Sequence, residues 1–331
     1  MRATGVGSLP GEDYAEAFRI VLGELTDLPH LPELPARGAT ANMTGRGLAV
    51  LDGLDADLQP AGWRLTGTGG SPGVDHRRAR SLLAQDLDTV EELAQDTPLV
   101  SGGGTFKIQV AGPWTLAATV ERPRGDKLLA DHGARRELAQ ALAEGVRAHV
   151  RDVRRRLPGV ETLIVQVDEP ALSAVLNAQV PTASGFGKHR SIDLPEASQA
   201  LEWVLGAIAE EGATPWVHSC AAGTPLGLVR TAGAKGLSVD LAQLSAADHD
   251  ELATSLEAGD TVALGVVPAL APERTPTDKT VTEAVERWLD MVGLDAAYDI
   301  VLTPTCGLAG ADWRWARGVL RILTETARHL A

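Results

Sequence analysis

Thr162-Leu-Ile-Val-Gln-Val-Asp168 decides the fold. It is a short apolar run rich in β-branched residues that ends on an acid. That is the pattern of a strand buried on both faces of a parallel sheet. Working outward, a long helical stretch over 126–157 precedes it, and before that comes another strand, Phe106-Lys-Ile-Gln-Val-Ala-Gly-Pro113. A helix over 198–211 and a strand over 214–220 follow it. The alternation then continues: a short helix at 225–231, a strand at 236–240, a helix at 247–258, a strand at 261–267, a helix at 281–291, a strand at 300–305 and a closing helix at 311–330. Toward the N-terminus, residues 4–10 end a first short strand and 13–25 form a helix. A short second strand falls near 34–38, a helix over 42–57, a Gly-rich loop over 67–73 and a helix with an acidic face over 81–94.

Strands alternating with helices in this way predict a parallel sheet closed into a (β/α)8 TIM barrel, with residues 1–331 as a single domain. The rival is an open doubly wound sheet. A barrel gathers the carboxyl ends of all its strands at one mouth, so functional residues belong there.

The bulk composition removes several function classes. Hydrophobic residues make up 44% of the 331-residue chain, enough for a sizeable core. The net charge of −14 argues against a nucleic-acid partner, which needs concentrated Lys and Arg. The arginines at 151 and 154–156 read as a solvated helix end before Pro158-Gly159. No run approaches the roughly 20 apolar residues of a membrane span, and Met1-Arg2 leads into no signal-like segment. Two cysteines make no disulfide framework and suit a reducing cytoplasm.

The polar residues at the predicted strand ends are Ser8, Asp168, His218, Cys220, Asp240 and Cys306, with Gly112-Pro-Trp114-Thr at the end of the 106–113 strand. His218 and Cys220 are two apart, so an extended strand points both to the same side. Mixed nitrogen and sulfur donors at one place are a zinc pattern. Each residue also has a bland alternative. A free cysteine is usually a buried inert residue, Asp240 suits a helix cap, and Asp168 suits either a helix cap or a rim position holding a substrate ammonium or acting as a general base. Glu169 adjoins Asp168 and so points to the opposite face. Gly5-Val-Gly7-Ser8 lacks the third glycine of a dinucleotide fingerprint but can offer backbone N–H groups to a carboxylate. Trp114 suits either stacking on a flat ligand or the core.

Five short motifs occur in order: Gly7-Ser-Leu-Pro10, Val110-Ala-Gly-Pro-Trp-Thr115, Gln166-Val-Asp-Glu-Pro-Ala-Leu172, His218-Ser-Cys220 and Thr305-Cys-Gly-Leu308. Together they resemble the C-terminal catalytic barrel of cobalamin-independent methionine synthase, within the uroporphyrinogen decarboxylase/methionine synthase superfamily. The resemblance implies a zinc-dependent methyltransferase that converts homocysteine to methionine. It implies zinc held by His218, Cys220, Asp240 and Cys306, with Asp168 on the homocysteine ammonium and Ser8 on its carboxylate. The methyl donor it implies is methyltetrahydrofolate or, as in short stand-alone members, a methylcobalamin-type corrinoid. The sequence departs from the family in three places. Asp240 stands where glutamate is usual, Gly265-Val-Val-Pro-Ala269 lacks the histidine expected after the seventh strand, and no second barrel precedes the motifs. The alternatives are a zinc-dependent methyltransferase acting on another thiol and a non-catalytic zinc-stabilised barrel.

Overall fold

A computed structural model describes residues 1–66 and 72–331. Most of the Gly-rich loop expected at 67–73 lies outside the described residues.

The N-terminal part is only partly regular. Strand β1 (Arg2–Ala3) is followed by helix α1 (Tyr14–Glu24), whose cap is the Asp13 side chain accepting from the Glu16 amide. Helix α2 (Met43–Val50) is capped by Asn42 and is shorter than the helix expected over 42–57. It ends before Gly53, and the chain then forms an antiparallel hairpin, β2 (Ala56–Gln59) with β3 (Gly62–Leu65), which the sequence pattern did not suggest. Helix α3 (Val74–Leu93) and the short α4 (Pro98–Ser101) lead into the regular half.

There the expected alternation holds. Strands β4 (Gly104–Ala111) and β5 (Val160–Asp168) are separated by α5 (Pro113–Thr119) and α6 (His132–Arg156). Helices α7 (Leu172–Leu176) and α8 (Leu194–Glu210) precede β6 (Thr214–Ser219). Then come α9 (Leu226–Thr231), β7 (Gly236–Asp240), α10 (Ala246–Glu257), β8 (Thr261–Val267), α11 (Asp278–Val292), β9 (Ile300–Pro304) and α12 (Trp313–His329).

Seven strands form one parallel sheet in the order β1-β9-β8-β7-β6-β5-β4. The strand expected near 34–38 is instead a 3-10 turn at Pro35–Arg37. Just before it, the backbone at 29–33 spans the gap between the two sheet edges. His30 bridges Lys107 of β4, and Glu33 bridges Ser8 beyond β1, both in parallel sense. The sheet is therefore curled so that its edges face one segment. That segment makes isolated bridges and no ladder, because Pro29, Pro32 and Pro35 each remove an amide donor. A closed ring of eight paired strands is thus not what the hydrogen bonds form.

Alternation by two sorts the strand residues between two cores. Phe106, Ile108, Val110, Leu163, Val165, Val167 and Val217 face the helices in one large apolar cluster. Ile164, Trp216, Ala263 and Val301 face inward and pack with Leu28 as a small separate cluster. Lys107 pairs with Ile164, Gln109 with Gln166, and Asp168 with His218 in strand register. The inner face thus begins apolar and turns polar toward the strands' carboxyl ends. Chain direction and parity alone bring Gln166, Asp168 and His218 to the mouth.

Candidate metal centre and substrate cavity

His218, Cys220 and Cys306 meet. One ligand atom from each lies within 4.8 Å of the other two. His218 is buried, and its Nδ1 bonds to Ser238 of β7, 3.2 Å from the carbonyl oxygen and 3.0 Å from Oγ. A carbonyl only accepts, so that contact puts the hydrogen on Nδ1 and leaves the Nε2 lone pair facing the sulfurs. Nε2 is buried with no hydrogen-bond partner within the chain. An orphaned imidazole nitrogen beside two thiols is a donor set that fits zinc, with the outer-shell bond that orients a metal-binding histidine already in place. The two thiols act on each other as a pair: their contact lowers the Cys306 pKa and raises that of Cys220. The pair therefore gives up its first proton easily, from Cys306, and resists losing the second, from Cys220.

Asp240 stands beside the triangle and outside it. It stands at the end of β7 on the correct face, yet its Oδ1 accepts from the Ala242 amide at 2.9 Å and caps a 3-10 turn. It does not join the His218–Cys220–Cys306 triangle. Its carboxylate is one methylene shorter than glutamate and gives one oxygen to that cap. Burial, with the Cys306 charge adding, raises its pKa.

A cavity of about 230 Å3 opens beside the triangle, lined by Val6, Gly7, Ser8, Glu33, Met43, Asp168, Pro170, His218, Cys220, Cys306 and Gly307 among others. Ser8 and Asp168 are therefore where the sequence placed them. Ser8 is held from the other end of the chain, since its carbonyl accepts from the Leu308 amide at 2.8 Å. A side chain at Gly307 would run into Ser8 Oγ, which explains a glycine there. Asp168 Oδ1 accepts from Gln166 Nε2 at 2.7 Å, and the same amide donates to the Val6 carbonyl at 2.9 Å. Burial raises the Asp168 pKa to about 7, against the favourable His218 and Lys107 charges. Lys107, fully buried, is lowered to about 8 by desolvation, while Asp168 and Glu33 oppose that shift. Its Nζ donates to the Val6 carbonyl at 2.8 Å.

Glu169 turns the other way, as parity requires. It is fully buried and accepts from the amides of Trp114 and Thr115 and from Thr115 Oγ1, at 2.9, 2.8 and 2.7 Å. A side chain on Gly112 would strike its carboxylate. Glu169 therefore pins the start of α5 and does not face the cavity.

Trp114 is the correction among the expected site residues. It is buried, its indole N–H donates to the Ala197 carbonyl at 3.1 Å, and its ring lines a different depression with Arg135, Arg136 and Trp203. Helix α5 carries it into the helical layer, away from the mouth. Glu33 is the residue the sequence reading missed. It is 4% exposed and lines the cavity opposite Asp168. The available signal was a lone acid between Leu31 and Leu34 in a proline-rich stretch.

The family model described as "Cobalamin-independent synthase, Catalytic domain" matches residues 105–329. No curated protein sequence matches the chain. Among solved structures, a B12-independent methionine synthase from Shewanella sp. W3-18-1, in complex with selenomethionine, aligns with TM-score 0.65 at 14% identity. The alignment covers 99% of this chain and 97% of that one. A D-tagatose 3-epimerase-like protein aligns over 100% of this chain and 98% of that one, at TM-score 0.43 and 11% identity, too distant to bear on function. The match over 105–329 takes in every strand from β4 to β9 and all three corners of the His218–Cys220–Cys306 triangle, so the chain belongs to the cobalamin-independent synthase family through its catalytic domain, and with it to the homocysteine methyltransferases.

Proposed function

We propose that the chain transfers a methyl group to the sulfur of homocysteine, giving methionine, with zinc held by His218, Cys220 and Cys306. The observation that carries this is the nitrogen–sulfur triangle opening onto a small cavity that also holds two carboxylates. Bound zinc keeps a thiol as the thiolate at neutral pH, the form that attacks a methyl group.

The chain's own residues do the rest. Asp168 and Glu33 face the cavity with few donors of their own and suit the substrate ammonium. Ser8 suits the substrate carboxylate. Ser238 keeps His218 turned so that Nε2 faces the sulfurs. The S–CH3 bond forms as the donor's bond to its methyl group breaks; the electron pair stays with the donor, which leaves as tetrahydrofolate after taking up a proton or as the reduced corrinoid, and the thiol proton is released. The donor in this reading is methyltetrahydrofolate or a methylcorrinoid. A triangle of three protein ligands, with Asp240 occupied as a cap, favours a catalytic site over a closed structural one, because a fourth position remains for substrate sulfur. The near end-to-end alignment with the Shewanella enzyme supports reading residues 1–331 as one catalytic unit, with the segment at 29–33 standing in for the barrel strand that forms no ladder. Two reduced thiols in the site fit a cytoplasmic setting, and no helix among the described residues is long and apolar enough to cross a membrane.

The test is methionine formation from homocysteine with methyltetrahydrofolate, its polyglutamate form and methylcobalamin as alternative donors, alongside metal analysis of the purified protein. Methionine formation that requires zinc supports the proposal. Protein that holds zinc but methylates homocysteine from none of the three sinks it.

A further inference from the structure

Glu33 ends in the cavity, but its charge is managed from outside. On the protein side two groups approach the carboxylate: Gln109 Nε2 at 3.2 Å and Arg46 Nε at 3.3 Å. Neither contact is strong. Gln109 gives its shorter bond, 2.7 Å, to the Leu31 carbonyl. Arg46 Nε lies at charge-contact distance yet makes no hydrogen bond.

Asp86 of α3 is the opposite case. It is 1% exposed and accepts three good bonds, from Arg46 Nη1 at 2.7 Å and from Arg37 Nη1 and Nη2 at 2.8 and 2.7 Å. The Arg37 guanidinium in turn lies 5.0 Å over the Tyr14 ring. Two carboxylates and two guanidiniums thus form a buried chain in which Asp86 claims the hydrogen bonds of Arg46 and Glu33 receives only its charge. A carboxylate with unused lone pairs calls for donors. The group that completes Glu33 is therefore a cation with several donors arriving through the cavity, which describes a primary ammonium. Asp168 and Lys107 face the same carboxylate from β5 and β4, so Arg46 is not its only charged neighbour.

The geometry points to Arg46 and Asp86 as positioning residues: they hold the Glu33 carboxylate aimed into the cavity and short of donors, so that preference for an amino-acid thiol over the same thiol without its amino group depends on them. The identity of the substrate here rests on the homocysteine reading above.

The test uses the purified full chain and two ligands, methionine and 4-(methylsulfanyl)butanoate, which differ only in the amino group. Calorimetric dissociation constants give a preference ratio. The wild type should favour methionine by about 10-fold or more, the scale of a charge-assisted hydrogen bond. Asp86→Asn and Arg46→Met should cut that preference about 10-fold by weakening methionine alone, and Arg46→Lys should restore most of it. In the methyl-transfer assay the same variants should raise KM for homocysteine far more than they lower kcat. Arg46→Met leaves Asp86 with Arg37 alone and removes the guanidinium beside buried Glu33, so circular dichroism decides whether it has folded; if it has not, Asp86→Asn and Arg46→Lys carry the test. Folded variants that weaken both ligands equally make the pair purely structural and overturn the inference. A wild type that binds neither ligand overturns the amino-acid reading beneath it.

Discussion

The part of the chain from β4 onward delivers His218, Cys220 and Cys306 to the cavity from the ends of regular strands, whereas the part before β4 delivers Ser8 and Glu33 from backbone that makes only isolated bridges. The first is held by ladders of backbone hydrogen bonds and reads out by parity. The second is held by side chains: Gln109 on the Leu31 carbonyl, Gln166 and Lys107 on the Val6 carbonyl, and Arg46 beside Glu33. The difference separates two tasks, with Asp168 at the end of β5 the one substrate-facing charge that the regular part supplies. Metal ligands need fixed directions, which strands supply. Substrate-charge groups need unspent hydrogen-bonding capacity, which a strand ladder leaves to the side chains and a buried polar network meters out.

The largest effect should come from the strand-built end. Cys306→Ser removes one corner of the triangle while leaving the fold intact, because Cys306 is only half-buried and pairs with nothing but the other site residues. Stoichiometric zinc should be lost, and methyl transfer should fall by more than the roughly 10- to 100-fold cost of losing an outer-shell partner of a metal. Metal analysis by mass spectrometry reads the first and methionine formation the second. A variant that keeps its zinc and its rate would break the assignment of the metal to this end.

The next effect concerns how firmly the irregular part is seated. His30 and His76 lie in it, and His149 of α6 packs against it beside Arg46; all three are buried. Desolvation is the first cause of each lowered pKa, with His30 falling well below 6.5 and His149 reaching about 4. The folded values lie below the unfolded one, so the stability these groups contribute is complete above about pH 6.5. It is lost as the pH falls toward 4, because the unfolded chain takes up protons that the folded chain refuses. His149 alone should account for about 3 kcal/mol over that interval. Urea unfolding at pH 7.5 and pH 5 measures it, and hydrogen exchange should show α2 and α3 losing protection before β5 and β6. His149→Asn should flatten the pH dependence. A midpoint unchanged between the two pH values would mean the buried histidines do not seat this region.

How much of this was legible follows the same division. The limits of β7 and β8 were readable to the residue, because apolar runs bounded by Gly and Asp have few other uses. The pairing of His218 with Cys220 followed from strand parity, and Cys306 from the position of the last strand. Glu33 was not readable, since a bridge segment interrupted by prolines carries neither a two- nor a 3.6-residue period. The helix expected over 42–57 runs past Gly53 into the first two residues of β2, and the rest of the hairpin carried no expected element. Asp240 has the expected address, and one of its oxygens caps the next turn. Whether an acid at a strand end binds a metal or caps the next turn depends on side-chain length and a local amide, which spacing does not encode.

Ser8→Ala probes the irregular end with a smaller effect. It removes one hydroxyl from the cavity wall and leaves the backbone bond from Leu308 in place. KM for homocysteine should rise about 10-fold with little change in kcat, as expected for a group that binds ground and transition states alike. Steady-state kinetics on zinc-replete protein reads this. A fall in kcat at unchanged KM would move Ser8 from holding the substrate to assisting the transfer.

The smallest effect belongs to Trp114, and its smallness is the informative part. The tryptophan follows Gly112-Pro113 at the end of a strand, an address that in this fold usually means the mouth. The helix that starts there turns the ring away into the layer between α6 and α8, where it donates to the Ala197 carbonyl. Trp114→Phe keeps most of the apolar contact and removes that donor. The cost should be about 1 kcal/mol for the lost indole hydrogen bond, seen as a small drop in the urea midpoint. Binding of homocysteine and the rate of methyl transfer should not move, since the ring lines a depression that contains none of the groups facing the metal triangle. A raised KM without a stability change would return Trp114 to the substrate side. It would also mean that the boundary between cavity and helical layer is drawn in the wrong place.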